Sequence, residues 1–126
     1  MNDKPKPTDK FVIDIQWIWK YASTAEEAVS IAFYHLNEEA EGENNHRIIL
    51  RPDKGEWMKL PATTRAAAVT ALKTSGKVAL QSMFGDNCIG DIVFVQELEA
   101  ARKEWRKIQK EMEKAGGESL KPMPHL

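Results

Sequence analysis

The sequence predicts an α+β domain, and three observations carry that prediction. Apolar residues alternate with period two from Phe11 to Tyr21, they recur at three- and four-residue spacing over three later stretches, and Gly, Pro or Thr marks the joints between these runs.

The first run places Phe11, Ile13, Ile15, Trp17, Trp19 and Tyr21 at odd positions with Asp14, Gln16 and Lys20 between them, which is the period of a strand. Eleven extended residues span about 36 Å, so one strand of this length crosses most of a domain whose radius of gyration is near ~14 Å. Thr24-Ala25-Glu26-Glu27 has the form of a capping box, and Ala25, Val29, Ala32, Phe33, Leu36 and Ala40 follow at helical spacing, so a helix is expected from about 25 to 40, stopped at Gly42. Arg47–Arg51, then Pro52-Asp53-Lys54-Gly55, then Glu56–Leu60 reads as a β-hairpin ended by Pro61. Thr63 or Thr64 caps a second helix through Ala66, Val69 and Leu72 to Ser75-Gly76. Residues 77–84 fit either period, and the spacing of Leu80 and Phe84 favours helix. After the turn Gly85-Asp86-Asn87, the β-branched run Ile89–Val95 reads as a strand covered on both faces. Leu98, Ala101, Trp105, Ile108, Met112 and Ala115 define a long final helix over 97–115, before Gly116-Gly117.

Strand, helix, two strands, helix, strand is the split βαβ, or ferredoxin-like, plan βαββαβ with an additional C-terminal helix. Residues 1–9, with Pro5 and Pro7 and no apolar residue after Met1, and residues 118–126, with Pro122 and Pro124, are expected to be flexible tails flanking a single domain over 10–117. The chain of 126 residues has 42% hydrophobic and 29% charged residues, which is ordinary globular usage. Its net charge of -1 excludes a global field that draws the molecule onto nucleic acid or an anionic membrane. With one cysteine, Cys88, an internal disulfide and thiolate-rich zinc sites are excluded, and a reducing cytoplasm is the expected location. No apolar signal segment and no membrane-length apolar run is present.

Function is expected on the final helix. At 100° per residue the apolar seam lies nearly opposite Arg102, Lys103, Arg106, Lys107, Lys110 and Lys114. Packing on the protein's own sheet with a solvated basic back is one reading of that pattern, with Glu99–Lys103 and Lys107–Glu111 as supporting pairs. A seam that meets a second copy or a host protein, anchored by Trp105, is the functional one. The leading expectation is a non-enzymatic adaptor or inhibitor, with Trp105, Arg102, Lys103, Arg106, Lys107 and Lys110 as contact residues, the character common among small phage or mobile-element accessory proteins. The alternative is a nucleic-acid-binding regulator that uses the basic face, although Glu99 and Glu113 interrupt it. An RNA-binding sheet is disfavoured: with odd positions of the first strand facing the helices, the open face shows Val12, Asp14, Gln16, Ile18 and Lys20 and no aromatic platform, whereas the reversed register exposes Trp17 and Trp19 and weakens that objection.

No catalytic set, metal site or cofactor is expected. His35, His46 and His125 have no spacing that brings two of them onto one metal, no phosphate-binding Gly-rich loop is present, and Cys88 with His46 as base is a distant candidate for a nucleophile.

Overall fold

The computed structural model describes residues 5–16, 18–42, 44–52, 54–85 and 88–114. The alternating N-terminal run is two strands, β1 (Phe11–Ile15) and β2 (Ile18–Ala22), folded back on each other. Their register pairs Phe11 with Ala22 and Ile15 with Ile18. Every pair therefore joins an odd position to an even one, and partners share a face. Phe11, Ile13 and Ile15 point to one side of the sheet, whereas Trp19 and Tyr21 point to the other with Val12 and Asp14. A strand of eleven residues does not form because folding back lets the two halves cover both sides of the same sheet.

α1 (Ala25–Glu39) begins where the capping box predicts: the Thr24 hydroxyl accepts from the Glu27 N–H at 3.1 Å. It ends at Ala40, two residues before Gly42. β3 (His46–Leu50) follows, but the expected hairpin partner does not. Residues Trp57–Lys59 form a single 3-10 turn, and β3 pairs instead with β4 (Lys77–Phe84). The Arg47 guanidinium holds that turn against the outer strand, donating to the carbonyls of Met58, of Leu60 at 3.1 Å and of Gly85 at 2.8 Å.

α2 (Arg65–Ser75) is capped by the Thr64 hydroxyl and closed by Gly76 in the left-handed region at φ 79°. That stop leaves Lys77 free to start β4, so residues 77–84 are a strand and not a helix: pairing on both edges outweighs the weak four-residue spacing of Leu80 and Phe84. β5 (Cys88–Glu97) and α3 (Leu98–Lys114) complete the chain.

The described residues thus form an α+β fold with a five-stranded antiparallel sheet, order β2-β1-β5-β4-β3, and three helices. The strand order is not plainly that of the expected ferredoxin-like βαββαβ plan: the element order ββαβαββα adds a strand at one end and makes β5, in place of β1, the centre. α1 and α2 cover one face, where Ile13, Ile15, Ile48, Leu80, Val93 and Val95 are buried against Val29, Phe33, Leu36 and Leu72. On the other face lies a smaller cluster: Val12, Tyr21, Leu98 and Ala101, with Trp19 and Trp105 at its margin. Residues 5–10 run beside β2, where Asp9 accepts from the Ser23 hydroxyl at 3.0 Å and the Lys10 N–H reaches the Ala22 carbonyl at 2.9 Å. Residues 1–4 and 115–126, which contain the outer parts of the two expected tails and the last residue of the expected final helix, lie outside the described residues.

Candidate partner-binding surface

α3 leaves β5 without a loop, since Glu97 ends the strand and Leu98 starts the helix. Its position is fixed at that joint by two backbone bonds, Leu98 N–H to Lys10 O at 2.8 Å and Glu97 N–H to Gly76 O at 2.9 Å. The seam then divides. Leu98 and Ala101 are buried on Val12 and Tyr21, and Trp105 is half-buried against the same cluster, but Ile108 is 38% exposed.

Between the outer part of α3 and the sheet runs a groove of about 310 Å³. Its floor is Asp14 of β1, Trp19 of β2 and Phe94 of β5; its wall is Trp105, Ile108 and Glu104 of α3; Lys77 and Gln96 stand at the rim. Phe94 belongs to the central strand and is nevertheless 49% exposed. A second hollow of about 410 Å³ adjoins it across Phe94, Lys77 and Gln96 and extends to Arg51 and Pro52. Two polar groups in or beside the groove lack what burial demands. The Trp105 indole N–H is buried with no acceptor among the described residues, a cost on the order of 1–3 kcal/mol. Burial also pushes the Asp14 carboxyl above the usual carboxylate range, because the charged form loses water there.

The six expected contact residues do not form one surface. Trp105 lines the groove. Arg102 is half-buried beside it, bonded to Glu99 at 3.0 Å and close enough to Tyr21 that its charge partly offsets the rise that burial imposes on that phenol. Lys103, Arg106, Lys107 and Lys110 are exposed and project from the far side of α3, away from the sheet. One small partner seated in the groove does not reach them.

His46 lies on β3 with its ring 5.5 Å from Phe84, and burial holds its imidazole below the ordinary value. Phe84 pairs with both His46 and Cys88, so the pair imagined as base and nucleophile stands two strands apart, about 10 Å at ordinary strand spacing. His35 on α1 is a half-buried residue with Nε2 3.7 Å from Asp91 Oδ2, and His125 is outside the described residues.

Sequence reasoning missed Phe94, Asp14 and Ile108 as neighbours. The signal was present in the two faces of the aromatic run, whose two halves, β1 and β2, pair so that their odd positions fall on opposite sides of the sheet. Among the described residues no helix is long and apolar enough to cross a membrane. Comparison with family models, with curated proteins and with solved structures finds no match to this chain.

Proposed function

We propose that this protein is a non-enzymatic binding module that takes an apolar element of another protein into the groove between α3 and the sheet. The half-exposed Phe94 in the central strand, beneath the exposed Ile108, supports this reading above all else. A central strand is the place where an aromatic side chain is ordinarily covered, and an uncovered one flanked by polar rim groups marks an interaction site. Covering the exposed parts of Phe94 and Ile108 removes on the order of 170 Å² from water, about 4 kcal/mol at 25 cal/mol/Å². Association costs about that much or more, so the occupant also uses Trp105 and the adjoining hollow. Asp14 in the floor and Glu104 in the wall put two carboxyl groups inside the groove, which suits an apolar segment carrying a hydrogen-bond donor or a basic residue.

Placing a photo-activated benzophenone side chain at Ile108, and in a control at the exposed Tyr34 of α1, tests the proposal in the cell the protein comes from. One discrete protein adduct at 108 that is absent at 34, and that a Phe94→Lys change removes, is expected. Equal labelling at both positions, or none at 108, contradicts it. An adduct of twice the chain mass would identify a second copy as the occupant, and any other mass a host protein.

Nucleic-acid binding keeps a second place on one specific observation: Lys103, Arg106, Lys107 and Lys110 are exposed on one continuous helix face with no ion-pair partner among the described residues. Phosphate contacts are strongest at low salt. Absence of a gel shift at low salt with single- and double-stranded probes removes this reading and leaves the groove untouched.

A further inference from the structure

On the opposite side of the sheet from the groove, the last turns of α1 face the Gly90–Asp91 corner of β5, and three side chains of metal-ligand type converge there. His35 and Glu39 are four residues apart on α1, so they share one helix face. Asp91 comes from the sheet. One ligand atom from each lies within 4.8 Å of the other two, and His35 Nε2 is 3.7 Å from Asp91 Oδ2.

Local backbone construction aims Asp91 at the helix. The ladder between β4 and β5 shifts register between Gln81 and Met83, where Ser82 faces Gly90 and Asp91 together, and such bulges redirect side chains. The bulge is held by two side-chain bonds, Gln81 Nε2 to Gly90 O at 3.2 Å and Ser82 Oγ to Asp91 O at 3.4 Å. A Cβ at position 90 would collide with the Ser82 hydroxyl and the Phe84 ring, so any larger residue at this corner forces those side chains to move. Electrostatics at the corner also point one way. The last turn of α1 holds Glu38 and Glu39 and no basic residue, at the end where the helix dipole is negative. Asp91 adds a further carboxylate, and among the described residues no Lys or Arg pairs with Glu39 or Asp91. Glu38 is engaged elsewhere, with the Tyr34 hydroxyl.

We propose that His35, Glu39 and Asp91 bind a divalent transition-metal ion, with Zn²⁺ the best match to one imidazole and two carboxylates. Tetrahedral zinc with N and O ligands at about 2.0–2.2 Å places its ligand atoms about 3.4 Å apart. The His35–Asp91 separation of 3.7 Å is already close to that edge length. Glu39 is exposed, and a rotamer change brings its carboxylate in. Three protein ligands leave the fourth position to water or to a donor from a partner molecule. This site is independent of the groove, and either assignment survives the loss of the other.

The test is calorimetric titration of ZnCl₂ into tag-free, chelator-dialysed full-length protein, together with the variants His35→Ala, Glu39→Gln and Asp91→Asn. One equivalent of zinc bound by the parent protein is expected, weakened at least about tenfold by each variant, with Glu38→Gln within about twofold of the parent. A Cys88→Ser, His125→Ala protein keeps the site, which separates it from binding by the thiol or the C-terminal histidine. Circular dichroism confirms that each variant folds, and Glu39→Gln, at an exposed position, is the variant least able to disturb the fold. No heat at hundred-micromolar zinc overturns the proposal, and so does binding that survives His35→Ala and Glu39→Gln unchanged.

Discussion

The two faces of the same five-stranded sheet are finished differently. Beneath α1 and α2, strand residues Ile13, Leu80, Val93 and Val95 are buried completely, and both helices carry side-chain N-caps from Thr24 and Thr64. Beneath α3, burial ends at about Trp105, and Phe94, one strand position from the fully buried Val93 and Val95, is half in water. Neighbouring residues of one central strand thus lie in a closed core and in an open groove. The lesson is that the pleat itself separates closed core from open groove: alternate positions of β5 face one and then the other.

Mutations break or sharpen this contrast. The largest effect is expected on the closed face, where Leu80→Ala leaves a cavity under α1 and α2 and costs about 2–5 kcal/mol in urea unfolding. Trp105→Ala removes more atoms from a half-buried site, and we expect only about 1.5–3 kcal/mol, since the full loss for a buried aromatic is about 3–5 kcal/mol. Equal costs for the two would mean that the α3 face is closed as well. Thr64→Ala removes the hydroxyl that accepts the Ala67 N–H at 3.1 Å and lowers stability by about 1 kcal/mol.

The smallest effect is expected at Asp14, and its sign is opposite. Burial raises its folded-state pKa, so the folded protein is penalised once the carboxyl ionises. That penalty is absent below the unfolded carboxylate value near ~3.9 and grows as pH rises through the folded value. Asp14→Asn should therefore melt slightly higher than the parent at pH 7 and show no advantage at pH 3. A lower melting point at pH 7 would show that Asp14 has a stabilising partner.

The helices were legible in the sequence because their signals are local. Thr24-Ala-Glu-Glu, Thr64 and Gly76 each specify a terminus within one turn of chain, and the seam of α3 repeats at its own period. The strands at 46–50 and 88–97 were legible as elements, but the pairing was not, because it is decided by residues far apart. Phe11–Tyr21 carries one unbroken alternation in sequence, yet β2 pairs back on β1 in a register that puts the odd positions of the two halves on opposite faces, which the period alone does not record. Residues 56–60 look like a strand after Pro52 and Gly55, but the Arg47 guanidinium satisfies their carbonyls and β4 takes the edge they were expected to occupy. For the candidate surface, Trp105 and the cationic face were readable from helical spacing. The alternation placed Asp14 on the open face, but Phe94 was not readable, since its neighbours depend on which strands flank β5. The metal-ligand cluster was half visible: His35 and Glu39 stand four apart, whereas Asp91 reaches them only through the bulge at Ser82 and Gly90.

Urea unfolding of Ile108→Asp tests most directly whether the outer half of α3 stands free over an open groove. A carboxylate tolerated there, with stability within about 0.5 kcal/mol of the parent, is the predicted result. A loss of about 2 kcal/mol or more, the signature of an unpaired charge forced into a core, would contradict it and make the groove part of the protein's interior.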